Sequence, residues 1–176
     1  MNDQEIKEKS AVLWPEVIGA VVTNRNGIVN LCPINYQAVP TVYEKPLSVC
    51  LGLDNRSYTL ETILQTNEFV YAYPSKSQLK DVLYCGTVSG SKGVKLENTN
   101  LEFIPSKSID TPCLKGAILS YECKLLHYYN VGQFTIVIGE VLALITSDKG
   151  SLDKIYSLGG MRYGVISSVD VLQTGR

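Results

Sequence analysis

Short runs of β-branched and aromatic residues, separated by turn-forming residues, follow one another along most of the chain. The first covers residues 17–23, and a turn over residues 24–27 separates it from a second run that reaches Asn30. This pattern predicts antiparallel strands joined by tight turns. Residues 47–53 and 69–73 have the same composition and predict two more strands.

Two segments, 58–66 and 75–83, instead carry apolar residues three or four positions apart. This spacing predicts two short helices, each with one apolar face. The residues that carry it are Leu60, Ile63, Leu64, Leu79, Val82 and Leu83. Residues 3–13 predict a further short helix, which ends at Trp14 because Pro15 follows.

A glycine-rich and serine-rich stretch, residues 85–95, interrupts the pattern and predicts an irregular loop that is a candidate for ligand binding. Strand composition returns at residues 101–104, 117–129 and 133–145. Several strands with two or three short helices predict a mainly β fold with α+β decorations, in the form of a β-barrel.

The chain has 176 residues, of which 45% are hydrophobic and 19% charged, so it is long enough for one packed domain. We expect residues 17–176 to form that domain and residues 1–16 to form an N-terminal helical arm. With 16 basic and 17 acidic residues and no run of Lys or Arg, nothing indicates a nucleic-acid partner. The polar start lacks a secretory signal, and Gly139 and Glu140 break an apolar run too short to span a membrane. We therefore expect a cytoplasmic protein without a membrane partner.

The residues that usually carry catalysis or bind metals are sparse. Five widely spaced cysteines without a CxxC pair favour reduced thiols over a zinc site or a disulfide framework. A single histidine, His127, cannot support a multi-histidine metal site, and no GxSxG, HExxH or Walker motif occurs. Any redox chemistry would therefore come from a cofactor that the protein binds and orients, such as a flavin.

Six segments, in chain order, resemble the flavin-reductase-like split-barrel family, in its flavoredoxin and ferric-reductase-like branch. They are NGIVNLCPINYQAV (26–39), RSYTLETILQTNEFVY (56–71), CGTVSGSKGVK (85–95), TPCLKGAILSYECKL (111–125), VGQFTIVIGEV (131–141) and SLGGMRYGVI (157–166). Each motif alone is weak, but the ordered set covers nearly all of residues 17–166. The resemblance implies an FMN-binding split β-barrel with short helices.

The start of the helix over residues 58–66 is the FMN phosphate site that the resemblance implies. Arg56, Ser57 and Thr59 would offer a charge, hydroxyl groups and free backbone N–H groups to a phosphate. Because a guanidinium can pair bidentately with phosphate, Arg56 is expected to contribute more than Lys95. The alternative is that Ser57 or Thr59 only caps the helix.

Two further segments are implied to contact FMN. The strand end would present backbone amides to the polar edge of the flavin ring, through Asn30, Leu31, Cys32, Pro33, Ile34 and Asn35. The loop after the second helix would offer Ser89 and the cation of Lys95 to the phosphate or ribityl chain. An ordinary strand exit and a solvated lysine are the alternatives.

Two positions bear on what the flavin would do, and both are candidate catalytic residues. Cys50 resembles a cysteine that lies close to the flavin in ferric-reductase-like relatives, although a strand cysteine is more often a small buried apolar residue. Phe134 stands where many relatives carry a histidine near the nicotinamide. Phe134 would close the flavin face instead of assisting hydride transfer, and His127, seven residues earlier, is not expected to replace that histidine.

The resemblance implies an NAD(P)H-dependent flavin reductase that passes hydride to bound FMN, with electrons leaving to free flavin, a ferric chelate or oxygen. Two alternatives remain open. One is a flavoredoxin-type FMN electron-transfer protein without a nicotinamide site, which works with a protein electron partner. The other is a non-catalytic split-barrel binding module. A homodimer is implied, because a split barrel of this size leaves its cofactor cleft open unless a second subunit covers it.

Overall fold

The computed structural model describes residues 14–38, 45–92, 95–148 and 153–166. The helix predicted over residues 3–13 lies outside the described residues. Within them, strands predominate, and the mainly β fold predicted from the sequence is confirmed. The strands are β1 (Glu16–Val17), β2 (Gly19–Arg25), β3 (Ile28–Ile34), β4 (Gln37–Ala38), β5 (Ser48–Asp54), β6 (Glu68–Tyr73), β7 (Phe103–Ile104), β8 (Cys113–Leu114), β9 (Leu119–Val131), β10 (Phe134–Thr146), β11 (Tyr156–Ser157) and β12 (Tyr163–Gly164).

The main sheet has seven strands in the order β3-β2-β6-β9-β10-β5-β4, and its neighbours are antiparallel. Strands β3 and β4 are consecutive in the chain, but β3 pairs with β2 at one edge and β4 pairs with β5 at the other. The sheet therefore curls round on itself. This is the curled arrangement expected of a split barrel.

The hairpin between β2 and β3 turns where the sequence predicts it. Asn26 and Gly27 both have positive φ angles, 54° and 81°. Two consecutive positive φ angles match the right-handed twist of a hairpin, and Asn-Gly is the favoured pair for such a turn. The turn sets the register of β3, whose far end borders the site described below.

Helix α1 (Tyr58–Thr66) has the predicted bounds. The Ser57 side chain caps its start by accepting a hydrogen bond from the Leu60 N–H (3.1 Å), and Asn67, with a φ angle of 59°, ends it in the left-handed conformation. Both signals are local to the sequence, which explains why spacing alone located the helix.

Helix α2 (Leu79–Thr87) follows a 3₁₀ turn over Lys76–Gln78. The glycine-rich composition predicted a loop at residues 85–87, and that prediction is wrong because α2 includes them. The reason is tertiary contact: a Cβ atom at Gly86 would lie only 2.8 Å from Cγ of Pro33, so the glycine lets α2 approach β3 closely. Residues Gly90–Lys92 then form a single 3₁₀ turn.

Two apolar clusters pack against the main sheet. One includes buried residues of α1, namely Leu60 and Ile63, and the other includes Val82 and Cys85 of α2. The two helices therefore pack against different clusters. The start of α1 and the end of α2 border the cleft described below.

A small sheet of β1, β11 and β12 lies apart from the main one. Glu16 pairs with Ser157 and Val17 with Tyr156. Strand β1 thus spans the boundary predicted between residues 16 and 17, and Glu16 is a strand residue instead of the end of a helical arm. No helix among the described residues is long and apolar enough to cross a membrane.

Candidate functional site

A cleft of about 540 Å³ lies between the start of α1, the end of α2 and the strand β3. The residues that line it are Cys32, Asp54, Arg56, Ser57, Tyr58, Thr59, Cys85, Gly86, Thr87, Val88, Ser89, Gly90 and Lys95. It brings together six of the predicted site residues, which come from three separate sequence segments. These six are Cys32, Arg56, Ser57, Thr59, Ser89 and Lys95.

The first turn of α1 forms one wall of the cleft. The first N–H groups of any α-helix lack partners within the helix. Ser57 satisfies the N–H of Leu60, whereas the N–H groups of Tyr58 and Thr59 have no partner among the described residues. These groups and the positive end of the helix dipole favour an anion in the cleft.

Lys95 is a cation at the bottom of the cleft, with only 5% of its surface exposed. Its Nζ donates to the carbonyl oxygens of Cys85 (3.0 Å) and Val88 (3.3 Å). None of the ion pairs in the described part of the chain includes Lys95. Burial lowers the pKa of its ammonium group, because the charged form loses hydration. The cation therefore has neutral hydrogen-bond partners and no ion pair among the described residues.

Asn30 lies behind the wall formed by α1 and is almost fully buried. Its Nδ2 donates to Oγ1 of Thr59 (3.0 Å) and, at 3.4 Å, to Oγ1 of Thr23. Its Oδ1 is buried and makes no hydrogen bond. Asn30 does not line the cleft, so its side chain supports Thr59 from behind.

Two thiols, Cys32 and Cys85, face the cleft. Burial raises the pKa of both, and the charge of Lys95 opposes the increase in each case. For Cys32, a hydrogen bond with Thr59 also opposes it. Both groups are therefore neutral thiols near pH 7, and they do not supply the missing negative charge beside Lys95.

Arg56 lies at the rim of the cleft, where it pairs with Asp54 through Nε to Oδ1 (3.1 Å) and Nη2 to Oδ2 (2.9 Å). Its backbone N–H also donates to Asp54 (2.8 Å). These hydrogen bonds lower the pKa of Asp54 to about 2. The Arg56 side chain is 87% exposed. Its charge is thus already balanced by a carboxylate, in contrast to that of Lys95.

The wall opposite α1 is the turn after α2. Gly90 is buried there, and a Cβ atom at this position would overlap Oδ1 of Asn30 and lie 2.6 Å from Cδ1 of Tyr58. Ser89 and Ser91 join their hydroxyl groups at 2.9 Å on the exposed side. The close approach of the two walls therefore requires glycine at position 90.

The other predicted residues of β3, and Asn35 just after it, point elsewhere. Leu31 packs in the cluster that contains α2 residues, Pro33 contacts Gly86, and Ile34 packs in the other cluster. Asn35 donates through Nδ2 to Oε2 of Glu16 (2.6 Å). The side chains of these residues therefore do not line the cleft.

Sequence reasoning missed several lining residues, notably Tyr58, Asp54 and Gly90. Tyr58 was not predicted as a site residue because its neighbours Ser57 and Thr59 supplied the polar groups expected at the start of α1. Gly90 carried a signal, since it lies in the glycine-rich segment.

Cys50 and Phe134 are not among the residues that line the cleft. Phe134 is opposite Asp54 and Ile138 is opposite Cys50 in the β5–β10 pairing, which places both candidates on the same face of the sheet. The Phe134 ring meets the Tyr36 ring edge to face, with centroids 5.8 Å apart. His127 pairs with Ile138, four positions along β10 from Phe134, and so does not occupy the place of Phe134.

No group of three or more metal-ligating side chains occurs among residues 14–38, 45–92, 95–148 and 153–166. The five cysteines are all free. The cleft therefore combines a helix start, a buried cation, the ion pair of Asp54 and Arg56, and neutral hydroxyl and thiol groups.

Comparisons with known proteins agree with this geometry. The sequence model described as "Flavin reductase like domain" matches residues 16–164. An uncharacterized protein of Archaeoglobus fulgidus is 34% identical over 102 residues, which cover 58% of this chain and 56% of that protein.

Two solved structures share the fold. The flavoredoxin of Methanosarcina acetivorans has a TM-score of 0.79 at 20% identity, covering 91% of this chain and 89% of its own. An FMN-binding protein of Thermus thermophilus with bound 1-cyclohex-2-enone has a TM-score of 0.79 at 21% identity, covering 91% of each chain.

Proposed function

Because the chain belongs to the flavin reductase like domain family, we propose that it binds FMN in this cleft and works as a flavin-dependent oxidoreductase. Bound FMN would supply the redox chemistry. The residues of the chain bind the cofactor, orient it and hold its phosphate.

The single observation that supports FMN is the buried ammonium of Lys95 without a counter-charge. A buried cation is costly unless an anion compensates it. The free N–H groups of Tyr58 and Thr59 provide directed donors to the same space. A phosphate monoester fits this donor set, since it brings up to two negative charges and three acceptor oxygens.

Lys95, Thr59 and the first turn of α1 would hold the phosphate. Cys32, which lines the cleft from β3, would lie beside the rest of the cofactor. FMN is favoured over FAD because the donors of Lys95, Thr59 and the start of α1 suit a terminal phosphate monoester. The backbone from Asn30 on β3 to Asn35, just beyond the end of this strand, remains the proposed support for the flavin ring.

The proposed reaction is NAD(P)H-dependent reduction of bound FMN, followed by electron transfer to a small acceptor. A second candidate, an FMN electron-transfer protein without a nicotinamide site, is favoured by Phe134. This residue is half-exposed beside Tyr36, and a phenyl ring neither donates a hydrogen bond nor transfers a proton. The two candidates share the FMN site and differ in the electron donor.

Two experiments test the proposal: a purification tests FMN binding, and a kinetic trace tests whether NAD(P)H is the electron donor. The protein purified without added cofactor should be yellow, or should become yellow with FMN but not equally with FAD. A colourless protein without affinity for FMN would refute the FMN site. Rapid mixing with NADH and NADPH then separates the candidates: fast bleaching of the flavin supports the reductase, and slow bleaching supports the electron carrier.

We also propose that the chain forms a homodimer through an aromatic face made of Tyr36, Tyr129, Val131 and Phe134. These side chains are 42% to 59% exposed, and strand register puts the three on β9 and β10 on one side of the sheet. Exposed apolar side chains grouped in this way mark an interaction surface.

Light scattering on a sizing column tests the dimer. Tyr129→Glu should convert it to monomer, whereas Tyr128→Glu, on the opposite side of β9 and similarly exposed, should not. A wild-type protein that is monomeric at micromolar concentration would refute this part of the proposal.

A further inference from the structure

Asn30 touches both walls of the cleft from a buried position. It is 2% exposed, and its Nδ2 lies 3.0 Å from Oγ1 of Thr59 on the wall formed by α1. Its Oδ1 faces Gly90 on the opposite wall, where a Cβ atom would overlap it. A buried amide that contacts both walls is placed to influence how they present their donors.

The hydrogen bond between Asn30 and Thr59 fixes the direction of the Thr59 hydroxyl proton. A threonine hydroxyl has one proton to donate and two lone pairs to accept with. Because Nδ2 can only donate, Thr59 must accept on the side of Asn30. Its own proton is then left for an acceptor on the other side, where Thr59 lines the cleft.

A competing acceptor for this proton is weak. The neighbouring group is the thiol of Cys32, whose pKa burial raises and which is therefore neutral. A neutral thiol is a poor acceptor compared with a phosphate oxygen. The Thr59 hydroxyl is thus prepared to donate to an anion in the cleft.

We propose that Asn30 is a positioning residue that makes Thr59 a dedicated hydrogen-bond donor to the phosphate of the cofactor. The inference rests on the proposed FMN site, but it concerns side chains that the family resemblance did not assign this way. The resemblance implied that the strand around Asn30 offers backbone amides to the flavin ring. The Asn30 side chain has a separate partner, because its Nδ2 donates to Oγ1 of Thr59 on the wall formed by α1.

A structural role for Asn30 makes a different prediction from a positioning role. Loss of a buried amide that merely holds the walls together would weaken the binding of any flavin. Loss of the positioning effect would weaken the binding of only those flavins that carry a phosphate. The ratio of FMN affinity to riboflavin affinity, measured by quenching of flavin fluorescence, isolates the positioning effect because riboflavin lacks the phosphate.

The test is a double-mutant cycle on that ratio, with Asn30→Ala and Thr59→Val. In the wild-type background, Thr59→Val should lower the FMN-to-riboflavin ratio about tenfold, as expected for one hydrogen bond to a charged group. In the Asn30→Ala background, the same change should lower it less than about twofold, because the hydroxyl proton is no longer directed. An equal loss in both backgrounds would overturn the inference.

Two further variants guard against a folding defect. Asn30→Asp keeps the shape of the side chain but accepts hydrogen bonds, so it should draw the Thr59 proton away from the cleft and also abolish the effect of Thr59→Val. Thr23→Val removes the other partner of Asn30 and should leave the ratio unchanged.

The result also separates this inference from the proposed function. A wild-type ratio near one would refute the phosphate site itself. A high wild-type ratio, with Thr59→Val having its full effect in both Asn30 variants, would refute only the role of Asn30.

Discussion

Two irregular segments of this protein are each held by buried charge, and they differ in how that charge is satisfied. The loop over residues 105–112 is held by carboxylates: Glu122 accepts from the N–H groups of Lys107 and Ser108 at 2.7 to 3.0 Å. Glu68 accepts from the Thr111 N–H (2.7 Å) in the same loop. The turn after α2 is held by a cation, Lys95.

Glu122 is fully buried, and its two carboxylate oxygens accept hydrogen bonds from backbone N–H groups of the loop. Lys95 has carbonyl partners but no ion pair among the described residues, and the start of α1 adds positive potential to the cleft beside it. The carboxylate of Asp54, which also lines the cleft, is already paired with Arg56. A buried charged group whose hydrogen-bonding capacity is satisfied stabilises the fold. A buried charged group that is not fully satisfied indicates where a ligand belongs.

The largest expected effect on stability comes from removing the carboxylate of Glu122. Glu122→Ala leaves backbone N–H groups of the loop without an acceptor, and should lower the free energy of unfolding by about 3 kcal/mol in urea titrations. Glu102→Ala, which removes an exposed ion pair with Lys115, is the control and should change it by less than about 1 kcal/mol. Similar losses in both variants would contradict a special role for Glu122.

Lys95→Met should weaken FMN binding without lowering the free energy of unfolding. FMN affinity should fall about 100-fold, because a charge-assisted contact with phosphate is lost in a buried site. The unfolding free energy without FMN should stay equal or increase, since burial of the ammonium opposes folding. Lys92→Met, at an exposed lysine of the same turn, should change neither quantity. A loss of stability comparable to that of Glu122→Ala would make Lys95 a structural cation.

The pH dependence sharpens the same contrast. Burial lowers the pKa of Lys95 in the folded protein below its ordinary value of 10.5. At pH values between the folded-state pKa and 10.5, the unfolded chain therefore binds more protons than the folded chain. This group therefore makes stability without FMN rise with pH through that interval. FMN affinity should fall through the same interval as the ammonium loses its charge. Lys95→Met should remove both trends, and identical pH curves for the variant and wild type would contradict this assignment.

Arg56→Ala should have the smallest effect. The guanidinium is exposed and already paired with Asp54, so its removal should weaken FMN binding by less than about threefold. This reverses the order expected from the sequence, where bidentate geometry favoured Arg56 over Lys95. A loss larger than that of Lys95→Met, measured by the same fluorescence titration, would restore the original order.

Local signals explain what the sequence could predict. Helix α1 has a serine cap and regular apolar spacing within nine residues, and the β2–β3 turn depends on Asn26 and Gly27 alone. The grouping of Arg56, Ser57 and Thr59 near Lys95 followed from the family resemblance.

Tertiary contacts explain what the sequence could not predict. The last turn of α2 exists because Gly86 packs on Pro33, 53 positions earlier in the chain. The pairing of Arg56 with Asp54 and the burial of Lys95 depend on how the walls of the cleft meet. Asn30 could not be separated from its neighbours in β3, because strand alternation does not show which side chain lies behind Thr59.

The central claim is that the uncompensated cation in the cleft binds the phosphate of FMN. The most direct test compares the dissociation constants of FMN and riboflavin for the wild type and for Lys95→Met by isothermal titration calorimetry. The account predicts that the wild type prefers FMN by about 100-fold and that this preference nearly disappears in the variant. Equal affinities of the wild type for FMN and riboflavin, or an unchanged preference in Lys95→Met, would contradict it.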